Sequence, residues 1–298
     1  MPPHTHDGID WTARLADLRR ADEVNGAALR SVAERLLDSL PAPHPTILDV
    51  GSGAGGMSAA LAETMVRRAG SAPAGRLVLV DAVPELLAAA ASAASTAAGS
   101  GQVDVRTVCT DLAGDPAAVA DVAGDADLVW ASNVAHHVPD QRQAVATLAG
   151  WLGTGGCLAL AEGGLAMRCL PWDVGVGEPG LQSRLLAAQE TWFYQMRAGM
   201  DGVVRLPVGW NRVLTDLGLS RVTAFSYLVD VPAPLDDTGR AAVVSWLGWL
   251  TSTTCDLLDP ADLDALHRLA DPADPAYVGH RDDVFLLNAN TVHLGWRT

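Results

Sequence analysis

Ten residues near the start of the chain, Ile47-Leu48-Asp49-Val50-Gly51-Ser52-Gly53-Ala54-Gly55-Gly56, constrain the fold more than any others. An apolar run too short for a helix ends in four glycines within six residues, and a helical segment at 58–68 follows. Glycine adopts positive φ and lets another group approach the backbone closely, so the pattern reads as strand, tight turn and helix start. In open α/β sheets, turns at the carboxyl ends of strands near the switch in strand order are where ligands bind.

The same alternation continues downstream. Apolar runs at 46–50, 77–80, 103–108, 128–131 and 157–161 are separated by helical segments at 58–68, 84–98, 117–123 and 141–152. Continuous apolar strands between helices predict a parallel sheet covered on both faces. Upstream, residues 10–40 read as helical and Pro41, Pro43 and Pro45 close that segment. Beyond Glu162, residues 163–205 read as a long insertion carrying Trp172, Trp192, Phe193, Tyr194, Met196 and Met200. A helix at 210–217 ended by Gly218, a strand at 221–229, helices near 239–256 and 260–270 and a last strand at 284–294 complete the chain. The expectation is one domain over 1–298. It divides into a helical cap at 1–45, a ligand-binding core at 46–162, a lid at 163–205 and, at 206–298, the rest of the core with inserted helices.

Charge removes several chemistries. The net charge is −15, and all 20 basic residues are arginine. Without lysine there is no P-loop, no pyridoxal phosphate Schiff base and no lysine general base. An acidic chain repels a phosphate backbone, so no nucleic-acid partner is expected. No apolar run reaches the roughly 20 residues of a membrane span, and the polar first ten residues lack the core of a signal peptide. A soluble cytoplasmic protein is the expectation. The four cysteines lack metal-site spacing, and Cys109 and Cys157 read as small buried hydrophobes in strands. His4 and His6, two residues apart in the first ten, make a poor metal site, and none is expected.

Taken alone the glycine loop is ambiguous, because Gly51, Gly53 and Gly56 also satisfy the dinucleotide fingerprint. Asp49 argues otherwise, since a carboxylate just before the loop suits a cationic amino group and not a pyrophosphate. Asp81 ends the second strand, where a carboxylate accepts ribose hydroxyls. With these residues the segment 49–56 resembles motif I of the class I S-adenosylmethionine-dependent methyltransferases. Cys109-Thr110-Asp111-Leu112 is similar to that family's adenine-contacting segment, and residues 127–138 and 151–162 resemble its fourth- and fifth-strand motifs. The likeness is closest to the branch that methylates small metabolites, of the quinone and natural-product type.

The resemblance implies a Rossmann-like, doubly wound α/β sheet of seven strands, the last antiparallel, with helical caps. It implies S-adenosyl-L-methionine as cofactor and S-adenosyl-L-homocysteine as product. Cofactor contacts fall on Asp49, Gly51, Ser52, Gly53, Gly55, Asp81, Ala82, Asp111, Leu112, Asn133 and Val134. His136 and His137 follow the fourth strand and Glu162 ends the fifth, so these three are the candidates for proton removal from an acceptor. Trp172, Trp192, Tyr194, Met196 and Arg168 are the candidates for contact with a small, partly apolar methyl acceptor. The acceptor atom stays open between O, N and C, and exposed apolar helices leave room for a homodimer. Two competing readings are a nicotinamide-dependent oxidoreductase, which lacks a Tyr-x-x-x-Lys pair, and a cofactor-binding module without turnover.

Overall fold

The computed structural model describes residues 8–99, 101–112 and 116–298; His4 and His6 lie outside them. In chain order the elements are α1 (Leu15–Asp38), β1 (Thr46–Val50), α2 (Gly56–Ala69), β2 (Gly75–Asp81), α3 (Pro84–Ala98), β3 (Val103–Cys109), α4 (Pro116–Ala123), β4 (Ala126–Ser132), α5 (Gln141–Gly150), β5 (Leu152–Arg168), α6 (Leu181–Ala198), α7 (Trp210–Asp216), β6 (Ser220–Val231), α8 (Asp237–Thr254), α9 (Pro260–Ala270) and β7 (Leu286–Trp296). The sheet has seven strands in the order β3-β2-β1-β4-β5-β7-β6. Strands β1 to β5 pair in parallel. β7 runs against β5: Gly155 N–H donates to the Arg297 carbonyl, whereas Phe285 N–H donates to the Cys169 carbonyl. It runs against β6 as well, with Ser220 beside Trp296 and Ser226 beside Thr291.

Alternation along the central strands sorts side chains onto two faces. Ile47, Leu77, Leu79, Leu128, Trp130 and Ala159 pack with α1, α2 and α3. Leu48, Val50, Val78, Val80, Val129 and Leu158 pack with α4, α5 and α7. A sheet buried on both faces needs the continuous apolar runs seen in the sequence. Truncating a fully buried residue such as Leu79 to alanine costs about 2–5 kcal/mol through lost transfer energy and the cavity left behind.

The chain forms two compact units: residues 1–163, 200–227 and 290–298, and residues 164–199 and 228–289. The first contains strands β1 to β4. The second contains α6, α8 and α9. There Asp262, 4% exposed, accepts two bonds from Arg184 at 2.6 and 2.8 Å. In the same unit Trp192 and Trp249 meet edge to face at 5.2 Å. The apolar run in the sequence ends at residue 161, two residues before Gly163 and Gly164. Both glycines have positive φ, yet the strand continues through them to Arg168. Cys157 is buried, and burial pushes its thiol up to about 12; Cys109 is exposed, contrary to its expected burial. β3 is the edge strand and leaves that side chain uncovered. No described helix is long and apolar enough to cross a membrane.

Candidate active site

The glycine loop joins β1 to α2 at the carboxyl edge of the sheet. Gly51 and Ser52 donate their N–H groups to the Val80 carbonyl, tying the loop to β2. Gly51, Gly53 and Gly55 all have positive φ. At two of them the neighbours also forbid a side chain: a Cβ on Gly51 would lie 2.2 Å from Val134 Cγ2, and one on Gly55 would lie 2.6 Å from Ala90 Cα. Gly53 differs, since a Cβ there would find no atom nearer than 3.9 Å.

Because Gly55 stands at the N-cap of α2 and has no side chain, the cap comes from another helix. Asp22 of α1 accepts the Gly56 N–H at 2.8 Å, which satisfies an orphan donor and places an anion at the positive end of the dipole. Asp49 is 2% exposed and accepts from Ser58 Oγ at 2.5 Å. Asp81 accepts the N–H groups of Gly53 and Val83 at 2.9 Å each.

Three carboxylates therefore converge on one loop. Burial pushes Asp49 up to about 7; the Ser58 hydrogen bond opposes this, while the charges of Asp22 and Asp81 add to it. Burial likewise pushes Asp22 up to about 6 against the pull of the Gly56 N–H. Asp81 is raised by burial and lowered by the Val83, Gly53 and Ala82 N–H groups. No arginine is among the groups that act on any of the three. A buried carboxylate without a cation is costly, so the loop is built for a positively charged ligand.

On the neighbouring strand, Asn133 has φ +54°, a left-handed conformation that asparagine tolerates, and turns the chain after β4. Val134 packs on Gly51, and Ala135–His137 form one turn of 3-10 helix. Glu162, 3% exposed, holds this turn from β5. Its Oε1 accepts the Val134 and Ala135 N–H groups at 2.9 and 2.7 Å, and its Oε2 lies 2.6 Å from His136 Nδ1. His137 stacks at 4.1 Å on His136 and meets Trp11 edge to face at 5.1 Å. His293 of β7 hydrogen-bonds the Glu162 main chain; burial holds it below the usual histidine range and outweighs that bond.

The geometry thus gathers Asp49, Gly51, Ser52, Gly53, Gly55, Asp81, Asn133, Val134, His136, His137 and Glu162 within one unit. Ala82 follows Asp81 and accepts a long contact from Cys109 Sγ at 3.9 Å. The N–H of Thr110, beside Asp111 and Leu112, donates to the Asp81 carbonyl, so this segment adjoins the end of β2. The Glu162 carboxylate is buried, accepts two main-chain N–H groups and lies beside the His136 ring. The acceptor candidates fall in the other unit. There Trp192 packs on Trp249, Arg168 donates to Ser183 Oγ at 3.1 Å, and Trp172 and Tyr194 are 75% and 71% exposed. Met196 is half-buried on α6. Asp22, Ser58 and His293 were not foreseen. Their contacts link positions 34, 9 and 131 residues apart, with no local motif to announce them.

The segment that carries this loop, residues 48–158, matches the family model of a methyltransferase domain. A search of curated proteins finds no match to the chain. Among solved structures, a putative methyltransferase from Bacillus halodurans is 15% identical, with 90% of this chain and 100% of that one covered, at a TM-score of 0.47. An S-adenosylmethionine-dependent methyltransferase from Thiobacillus denitrificans, in complex with S-adenosylhomocysteine, is 14% identical, with 89% of each chain covered and a TM-score of 0.41. The plantazolicin methyltransferase BpumL, also in complex with S-adenosylhomocysteine, is 13% identical, with 97% and 88% covered and a TM-score of 0.44.

The sheet, the glycine loop and its carboxylates define a nucleoside-binding α/β core. The segment that carries the loop, residues 48–158, is similar to a methyltransferase domain. The residues present fit the cofactor. A Cβ on Gly53 would touch only the Gly51 carbonyl at 3.9 Å, and among the described residues Ser52 Oγ is buried without a hydrogen-bond partner and no cation acts on the three carboxylates. S-adenosylmethionine, when bound, supplies an electrophilic methyl group on a sulfonium. Asp49 and Asp22 stand at the loop, and each Asp81 oxygen accepts one N–H and keeps a further lone pair.

Proposed function

We propose that the enzyme transfers a methyl group to a small, partly apolar metabolite acceptor, as in natural-product biosynthesis. The observation that carries the cofactor half of this reading is the set of three carboxylates at the glycine loop, Asp49 and Asp81 buried and Asp22 half-buried, with no basic group acting on them among the described residues. A pyrophosphate would be repelled there, whereas an ammonium and a sulfonium are stabilised. His136 and His137, on the turn that packs against this loop, supply the polar face of the acceptor site. The chain's acidity and its lack of lysine support a small-molecule acceptor over nucleic acid.

Calorimetry of the purified protein with S-adenosylhomocysteine and, separately, with a nicotinamide dinucleotide tests the reading. Binding of the first alone is expected. Binding of the dinucleotide alone would overturn it. Transfer of isotope-labelled methyl from S-adenosylmethionine into small-molecule extracts then tests the acceptor half, and label found only in nucleic acid would reject it.

A further inference from the structure

We propose that Asp22 is a specificity-determining residue that makes the site prefer the cationic cofactor over its neutral product. The inference rests on the methyltransferase reading and deepens it. Asp22 reaches the glycine loop from α1, where its Oδ2 accepts the Gly56 N–H at 2.8 Å. Gly56 is the residue that admits it. A Cβ on Gly56 would lie 2.3 Å from Asp22 Cγ and 2.4 Å from its Oδ1, so any other residue at 56 displaces the carboxylate. Gly51, Gly53 and Gly55 have positive φ, whereas Gly56 stands in the ordinary first turn of α2. Its missing side chain serves the fit of Asp22 and not a backbone conformation. The helix that carries Asp22 is held in place. Val32 and Leu36 of α1 pack in one core with Leu61 and Met65 of α2, Arg67 pairs with Glu34 at 2.8 Å, and Arg68 pairs with Asp38.

The three carboxylates differ in what they leave available. Asp81 accepts an N–H on each oxygen, and Asp49 is buried and accepts the Ser58 hydroxyl. Among the described residues Asp22 accepts the Gly56 N–H through one oxygen, and no cation acts on its charge. That charge is felt at Asp49, so the two carboxylates act on the same space. On the same loop Ser52 is 7% exposed, and its Oγ has no hydrogen-bond partner among the described residues. A buried hydroxyl left in this way points to a ligand at the loop. Cofactor and product carry the same ammonium and the same carboxylate. They differ by the sulfonium charge, which is lost when the methyl carbon bonds the acceptor and the carbon–sulfur pair goes to sulfur. Whatever Asp22 gives to the ammonium is given to both ligands and cancels between them. Its attraction for the sulfonium is given to the cofactor alone, and in a poorly solvated site that attraction reaches beyond direct contact.

Asp22→Asn tests the assignment, because the amide oxygen still accepts the Gly56 N–H while the charge is gone. Calorimetry with each ligand is run at about pH 8, above the values of about 6 and about 7 to which burial pushes Asp22 and Asp49. Wild type is expected to bind S-adenosylmethionine more tightly than S-adenosylhomocysteine. In Asp22→Asn the ratio of the two dissociation constants is expected to fall at least about fivefold, chiefly through weaker binding of S-adenosylmethionine. Gly56→Ala keeps the charge in the chain but pushes it from the loop, and the same fall is expected. An unchanged ratio in Asp22→Asn, which a helix cap alone would give, would overturn the proposal. So would wild type binding S-adenosylhomocysteine as tightly as S-adenosylmethionine, and that measurement decides even if neither variant folds. Failure of both ligands to bind wild type would instead reject the methyltransferase reading.

Discussion

Gly51 and Val134 interlock: a single added methyl on Gly51 would sit 2.2 Å from Val134 Cγ2. The two residues follow neighbouring strands, β1 and β4, which pair in parallel. Their contact joins the loop with the carboxylates to the turn with the histidines. Gly51→Ala must both push Val134 aside and hold alanine at φ +68°. Overpacking of about 1–3 kcal/mol and left-handed strain of about 1–2 kcal/mol together predict a drop of several degrees in Tm. Val134→Ala removes the clashing Cγ2. Thermal unfolding of the double mutant is therefore expected to show recovery relative to the sum of the two single changes. Strict additivity would show that the residues are not in contact.

Gly53 predicts the opposite balance of effects. Its Cβ would make only an ordinary contact, with the Gly51 carbonyl at 3.9 Å, so Gly53→Ala carries only the left-handed strain at φ +54°. The fold is expected to lose about 1–2 kcal/mol, while calorimetric affinity for S-adenosylhomocysteine falls at least about tenfold, because the methyl projects into the space the ligand needs. Gly53→Val adds β-branching and is expected to abolish binding. Unchanged affinity in Gly53→Ala would move the cofactor away from this loop.

Much of this arrangement is legible in the sequence because it is local. Asp49 and the glycines lie within eight residues, and Asp81 ends the next apolar run. The strand order adds the rest by parallel pairing, which places the ends of β1, β2 and β4 side by side. What is not legible is long-range. Asp22 reads as an ordinary acidic position on an amphipathic helix until α1 is laid across the loop and caps α2. Glu162 is readable as the end of a strand, but nothing in the sequence says that its oxygens turn back to the main chain of residues 134 and 135. The length of β5 is hidden for a different reason. Paired glycines read as turns, and here the sheet's hydrogen bonding carries the strand through them.

Asp49 predicts a pH dependence with a definite sign. Its folded pKa, pushed up to about 7, lies above the ordinary carboxylate value, so the folded ligand-free protein holds a proton that the unfolded chain releases. This contribution to stability is present at low pH and is lost as the pH rises from about 4 to about 7. Asp22, pushed up to about 6, acts in the same sense over the lower part of that window. A cationic ligand binds the ionised form, so cofactor affinity is expected to strengthen over the same range and binding is expected to release protons. Calorimetry in buffers of different ionisation enthalpy at pH 6 measures that release. Asp49→Asn is expected to reduce it and flatten the Tm–pH profile of the ligand-free protein between pH 4 and 7. Proton uptake in wild type would reverse the assignment.

Ser58 sharpens the test, because it changes the acid without touching it. Its hydroxyl donates to Asp49 at 2.5 Å, and this bond opposes the burial and neighbouring charges that raise the Asp49 pKa. Ser58→Ala leaves the carboxylate in place but removes a donor to its charged form, at a cost of about 1–3 kcal/mol when that form is present. The Asp49 pKa must then rise further. The midpoint of the affinity–pH curve is expected to move upward, with affinity recovered at high pH. A uniform loss of affinity at every pH would mean that Ser58 only packs against the loop. Recovery at high pH would identify its hydroxyl as the group that keeps Asp49 ready to ionise when a cation arrives.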